Sequence, residues 1–315
     1  MSAKSNLVAE RILKAKELLK SCCLCGHRCG VNRLEGEKGK CGAGLEIEIA
    51  SYCAHHGEEP FISGGEGSGT IFFRHCNLKC VFCQNWEISQ LTIGAYCNTP
   101  LHQIMLDLQS KGCHNINLVT PTHYMPQILE ALQAAFNKGL EIPIVYNTNG
   151  YDSVELLKLL DGVVDVYMPD LKYFDNDKAQ KYSNAENYVE VSRAGIKEIL
   201  RQVGNLRFDE NEIAVRGILV RHLVLPNGIS DTKNALKYLS TVSRDMWISI
   251  MSQYSPQNRA NEYHELNRSL TPQEYWEAVG WAQEYKLENY LIQEIDSKDA
   301  FLPDFKEENP FGSSR

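Results

Sequence analysis

The sequence predicts an α/β fold: a partial, side-open (β/α)6 TIM-like barrel with an N-terminal cysteine-rich extension. Three observations predict it. From Gly69 onward, short apolar runs alternate six times with longer helical patterns, which implies parallel strands with right-handed crossovers. Polar residues follow directly after most of these runs, where a β/α barrel keeps its active site. Upstream lies a Gly- and Cys-rich stretch too short to build an apolar core of its own.

The elements follow in chain order. Residues 7–20 carry Leu7, Val8, Ile12, Leu13, Leu18 and Leu19 at helical spacing. "SCCLCGHRCGVNRLEGEKGKCGAG" comes next and needs a staple, for which metal is the natural candidate. "EIEIASYCAHH" reads as a strand, and Gly-rich "ISGGEGSG" leads into the barrel. The barrel runs are "GTIFFRH", "NINLVTP", "PIVYNTNG", "VVDVYMPDL", "GILVRHLVLP" and "WISIMSQY". Helical patterns lie near 100–112, 125–138, 152–160, 187–203, 231–244 and 272–285. A doubly wound sheet is the rival, but "TPTH", "NTNG", "DLK" and "QYS" stand at the strand ends as a barrel requires. The chain divides into an N-terminal helix and cysteine-rich segment (1–60), a barrel (61–295) and a tail (296–315) expected to pack loosely or not at all.

Composition narrows the function. A net charge of −8 argues against a general nucleic-acid binder, although a local basic patch stays open. "MSAKSNLVAERILKAKELLK" has charges throughout and lacks the apolar stretch of a signal peptide. No run of about 18 apolar residues occurs, so no membrane helix is expected. Eleven cysteines in such a chain point to a reducing cytoplasm, where clustered thiols are more often metal ligands or catalytic groups than disulfides.

"HCNLKCVFCQN", residues 75–85, places Cys76, Cys80 and Cys83 in the loop after the first barrel strand. Three thiolates can hold an iron–sulfur cubane and leave one iron open to another ligand. Zinc is the plainer alternative, but a structural zinc wants four protein ligands, and His75 is the sole further candidate in the loop.

Cys-x3-Cys-x2-Cys with Phe82 before the last cysteine resembles the signature of the radical S-adenosylmethionine (SAM) superfamily. "CVFCQN", "YNTNGY", "YMPDLKY", "LVRHLVLPNG" and "QYSP" resemble, in order, motifs of the branch that activates pyruvate formate-lyase. "CCLCGHRCGVNR", "SGGEGSGTIFF" and "NLVTPTHY" are similar to a subfamily of homologues of that activating protein; the likeness spans roughly residues 20–285. It implies a partial (β/α)6 barrel and a 4Fe–4S cluster on Cys76, Cys80 and Cys83, with SAM chelating the open iron. It implies one-electron cleavage of SAM to a 5′-deoxyadenosyl radical that abstracts a substrate hydrogen, with electrons from reduced flavodoxin or ferredoxin.

The resemblance also assigns residues around SAM. Phe82 falls near the adenine. Thr120, in "TPTH", stands where many relatives carry a Gly-Gly-Glu turn for the methionine amine, so this chain departs from that pattern. His123 in the same loop reads either as a substrate-site acid or base or as a solvated histidine. Thr148, Met168 and Asp170 match residues that surround a small cation in the activating enzymes; Asn147 replaces an acid there. Asp170 and Lys172 read as anchors for the ribose or carboxylate, or as an ordinary ion pair. Arg221 suits the SAM carboxylate. His222 alternates to the opposite face and reads as a packing residue. Gln253 and Tyr254 end the sixth strand, with Ser255 and Pro256 where activators often carry a histidine.

Cys22-x2-Cys25-x3-Cys29-x11-Cys41 supplies four thiols for tetrahedral zinc or an auxiliary cluster, with unmetallated thiols as the third reading and Cys23 spare. Cys53, Cys97 and Cys113 read as small apolar residues. The leading expectation is a radical SAM enzyme acting on a glycyl residue of a partner enzyme. Modification of a peptide or small molecule is the alternative, and a zinc-binding scaffold without activity is a third, from a different class.

Overall fold

The computed structural model describes residues 3–91, 97–295, 302–305, 307 and 309–312. In order, the elements are α1 (Ala3–Lys20), β1 (Ile49–His55), α2 (Pro60–Ser63), β2 (Ser68–Phe73), α3 (Leu101–Ser110), β3 (Ile116–Val119) and α4 (Met125–Asn137). There follow β4 (Ile144–Thr148), α5 (Val154–Leu159), β5 (Val166–Pro169), α6 (Asn176–Ser183), α7 (Tyr188–Val203) and a two-residue β6 (Arg207–Phe208). The last are β7 (Ala214–Leu223), α8 (Thr232–Val242), β8 (Trp247–Met251), α9 (Pro272–Glu284) and β9 (Tyr290–Ile292).

The strands form one open sheet ordered β1-β2-β3-β4-β5-β7-β8-β9, with β6 beside β7. β2 to β9 run parallel along this path, and β1 adds antiparallel to β2 at one edge. The six expected units are present. β9 extends the parallel run beyond them: its three residues are too few to show a period in sequence.

The register sorts side chains into two faces. Ile71, Leu118, Tyr146, Tyr167 and Ile218 are paired in register across β2, β3, β4, β5 and β7, and all are buried in the main apolar core. Alternate residues face the barrel interior. One interior layer holds Thr70, Asn117, Val145 and Val166; the layer above it holds Phe72, Val119, Asn147 and Met168. Arg221, Ser249 and Leu291 continue the upper layer across β7, β8 and β9. The lower end is filled by Phe61 and Ile62 of α2, clustered with Val145, Val166, Leu206 and Leu219. Phe61 packs edge-on to Phe208 and Trp247 at 5.4 and 5.1 Å between centroids.

One feature adds to the expected extension and one differs from expectation. The cysteine-rich segment docks as part of the fold: Gly26 N–H donates to Tyr151 O, and Ser153 N–H donates to Leu24 O. The tail is not loose where it is described, since Pro310 is buried and Phe311 stacks on His55 at 3.9 Å. The ring of Phe311 is held by stacking on an aromatic partner. Residues 296–301, 306, 308 and 313–315 of the expected tail lie outside the described residues.

Candidate cofactor and substrate cavity

The upper end of the barrel opens on a cavity of about 480 Å³. Cys76, Cys80 and Cys83 line it, together with Phe82, Thr120, Thr148, Asp170, Lys172 and Arg221. Every residue assigned to the cluster or SAM is therefore on one surface, because each stands at or just past the upper end of a strand.

Hydrogen-bond donors face the three sulfurs. Asn149 Nδ2 and Leu78 N–H approach Cys76 Sγ at 3.4 and 3.3 Å. Ser183 Oγ donates to Cys80 Sγ at 3.0 Å, and the Ser89 hydroxyl lies 3.4 Å from Cys83 Sγ. Burial nevertheless raises all three thiol pKa values, Cys76 to about 12 and Cys80 to about 11, and the charge of neighbouring thiols adds to it at these two. Three thiolates here need a strongly cationic partner, and an iron–sulfur core bound through deprotonated sulfur is one. His75 is not a fourth ligand, because its Nε2 is turned to Glu48 Oε1 at 3.1 Å. The donor set thus fits a group held by three protein sulfurs with one position left open.

Charged side chains continue downward from the thiols. Lys172 Nζ donates to Asp170 Oδ2 at 2.6 Å, and Arg221 Nε donates to Asp170 Oδ1 at 3.1 Å. Burial opposes the charge on Asp170, but Lys172 and Arg221 overcome it and hold its pKa below the ordinary value. The structure makes Asp170–Lys172 an ion pair on the cavity wall. Arg221 also reaches Asn147 Oδ1 at 2.6 Å and Glu58 Oε2 at 3.4 Å. Its guanidinium therefore bonds both Asn147 and Asp170, the positions that the resemblance associates with a small cation.

Backbone geometry fixes the strand ends. Thr120 has φ +52°, rare for a β-branched residue, and its N–H donates to Asn147 O at 2.7 Å. Gly150 has φ +77°, and a Cβ there would lie 2.1 Å from Asp170 O. Thr148 donates to Asp152, a buried carboxylate that also accepts from Thr122 and Tyr146 at 2.7 Å each. Asp152 thus ties the loop after β3 to the loop after β4. Phe82 is buried and meets Tyr254 edge-on at 5.7 Å.

Two histidines resolve differently. His222 packs outward as expected, bonded to Leu171 O at 2.6 Å and Thr232 Oγ1 at 2.9 Å. His123 is neither a cavity acid or base nor solvated. It is buried, bonded to Arg74 O at 2.8 Å, and burial lowers its pKa to about 3. A one-turn helix after Pro121 rolls it under the cysteine-rich segment.

Cys22, Cys25, Cys29 and Cys41 ring a second, small cavity with Arg33, Asn77, Thr122 and His123. The four thiols are brought together; Cys23 does not line this cavity. Among the described residues, no three His, Cys, Asp or Glu side chains converge closely enough to share a single metal ion. Cys113 is buried, and Cys53 and Cys97 are half-buried.

Sequence reasoning missed Glu58, Glu59, Asp152, Asn149 and Ser183. Glu58 and Glu59 rise into the barrel from the turn before α2, and Asn117 Nδ2 donates to Glu58 Oε1 at 2.9 Å. A Glu-Glu-Pro helix start was the signal for them, but helix starts favour acids anyway. Among the described residues, no helix is long and apolar enough to cross a membrane.

Comparisons with known proteins accord with this geometry. Residues 70–209 match the Radical SAM superfamily, a span that begins in β2 and contains all three loop cysteines. An uncharacterized protein of Methanocaldococcus jannaschii is 34% identical over 295 residues, covering 90% of this chain and 81% of that one. Methylornithine synthase (PylB) is similar in structure with a TM-score of 0.45 at 16% identity, over 69% of this chain and 60% of that one. HydG, a maturase of the FeFe-hydrogenase, gives a TM-score of 0.45 at 10% identity, over 91% of this chain and 62% of that one. The chain thus spans about three-fifths of the length of these two solved structures. Residues 70–209, a span that includes Cys76, Cys80 and Cys83, thus form a domain of the radical SAM superfamily.

Proposed function

We propose that this protein is a radical SAM enzyme whose Cys76, Cys80 and Cys83 hold a 4Fe–4S cluster and whose cavity binds SAM and a substrate. The observation that carries this is three thiols lining one cavity with Asp170, Lys172 and Arg221, each with a hydrogen-bonding group 3.0 to 3.4 Å from its sulfur. Bound there, the cluster and SAM supply one-electron cleavage of the sulfonium and abstraction of a substrate hydrogen by the 5′-deoxyadenosyl radical. The protein's part is to position and to exclude water. Phe82 offers an apolar face for the adenine. The backbone of Thr120 and the Asp170–Lys172 pair lie where the amine, ribose and carboxylate of SAM need polar partners, and Arg221 adds guanidinium N–H donors. Thr148 serves indirectly, since its hydroxyl is bonded to Asp152.

The substrate classes are a glycyl residue of a partner enzyme, as in the activating branch, and a peptide or small molecule. The cavity floor, lined by Glu58 and Glu59 and bordered by Phe311 of the tail, favours the small molecule or a peptide end. Reduced flavodoxin or ferredoxin is the proposed electron donor and the cytoplasm the proposed location. For Cys22, Cys25, Cys29 and Cys41 we propose a second metal centre, either zinc or an auxiliary cluster, supported by four thiols lining one small cavity; to share a single zinc ion they would have to draw closer than they stand here.

The test is 5′-deoxyadenosine formation by anaerobically reconstituted protein with SAM and dithionite, beside Cys80→Ala. Nucleoside is expected from the wild type and not from the variant. Its absence from wild type carrying full iron and sulfide, or its formation by both, would overturn the reading.

A further inference from the structure

The cavity floor carries more acceptors than the protein supplies with donors. Three carboxylates, Glu58, Glu59 and Asp170, line the same cavity as two cations, Lys172 and Arg221, and among the described residues no other Lys or Arg lines it. Both cations are bonded to Asp170; Arg221 reaches Glu58 as well, at 3.4 Å. Glu59 has Ser249 as a hydroxyl donor, yet its Oε2 is buried with no partner. Asn117 is fully buried, faces the barrel interior and gives its Nδ2 to Glu58, which leaves Asn117 Oδ1 also without a donor. Buried acceptors left unpaired are costly, so their persistence calls for a donor that arrives from outside.

Resting on the reading of this cavity as the substrate site, we infer that Glu58 and Glu59, with Asn117 holding Glu58 from behind, form a subsite for a cationic group of the substrate, an alkylammonium or guanidinium. Such a group brings several N–H donors and one positive charge. It suits the unpaired oxygen of Glu59 and, among the described residues, evens the charge between the three carboxylates and two cations of the lining. Burial raises the pKa of both glutamates, as expected of carboxylates placed together before their cation is present. An anionic substrate end would meet the same carboxylates as repulsion, so the subsite selects by sign. Glu58 and Glu59 sit on the turn before α2, below the strand ends that face SAM. The cation would hold the far end of the substrate while its reacting hydrogen points up toward the thiols.

The experiment is calorimetric titration of the reconstituted holoenzyme, SAM present, with agmatine against butyrate and butanol as probes. Agmatine is expected to bind at least about ten-fold more tightly than either control, and Glu59→Gln to weaken it by about ten-fold or more. Equal affinity for agmatine and butyrate in the wild type overturns the inference, as does a Glu59→Gln protein that binds agmatine like the wild type. Should that variant not fold, the wild-type preference alone decides. Nucleoside formation by the same preparation separates the two claims. Nucleoside without amine preference sinks the subsite alone, and amine preference without nucleoside sinks the radical reading alone.

Discussion

His222 shows how far one side chain can set a solution property. Both ring nitrogens are bonded inside the protein and no water reaches it, so burial pushes its pKa down to about 4. An unfolded histidine titrates near about 6.5. The folded value is depressed, so the stability held by neutral His222 is fully present above about pH 6.5 and is lost as pH falls toward the folded value. On the order of 2 kcal/mol should disappear between about pH 7 and pH 5. Urea unfolding at the two pH values, for wild type and His222→Gln, checks this: the variant should lose much of that slope. An unchanged slope would assign the acid sensitivity to other groups, with His123 the next in line because burial lowers it to about 3.

At the scale of elements, the site depends on loops that touch one another more than on the strands that launch them. The β4 loop passes so close to β5 that only hydrogen fits at Gly150, whose φ is +77°. Gly150→Ala should therefore push the loop off Asp170 O and cost about 2 kcal/mol in denaturant unfolding. It should also weaken SAM binding, because Asn149, one residue away, bonds both Asn77 Oδ1 and Cys76 Sγ. Unchanged stability and SAM affinity would show that the loop relaxes freely. The cysteine-rich segment belongs to the same network: it pairs with residues 151–153, and His27 bonds Asn77 O at 2.7 Å. The first cysteine set is thus mechanically joined to the second.

For the whole molecule, the open sheet leaves a cavity whose roof is three thiols and whose floor is two glutamates. Such a protein should be stabilised by its metal, since a group that binds the folded state alone shifts the folding equilibrium. Reconstituted protein is expected to melt several degrees above chelator-treated protein under anaerobic conditions, with elemental analysis run on both. Cys80→Ala should lose the iron of the upper site, and Cys25→Ser the metal of the N-terminal segment, each without emptying the other. Identical melting of metal-free and reconstituted wild type would mean that the thiols do not couple to folding.

The sequence by itself determined the barrel units and the loop of Cys76, Cys80 and Cys83, because strand–helix alternation and thiol spacing are local patterns. It also placed Asp170, Lys172 and Arg221 at strand ends, since the end of an apolar run can be read directly. Only the tertiary structure decided what each of these touches. Glu58 and Glu59 precede the first barrel strand by some ten residues, and nothing local says that their turn rises into the barrel. That follows from the antiparallel pairing of β1 with β2, which returns the chain to the lower end, and from Phe61 and Ile62 filling it. His123 was misread for the same reason: its burial comes from a segment almost a hundred residues away, whose Arg33 donates to His123 O at 2.6 Å. Local patterns fix elements because hydrogen bonding and burial repeat along the chain. The partners of a polar side chain depend on long-range packing, which no local period records.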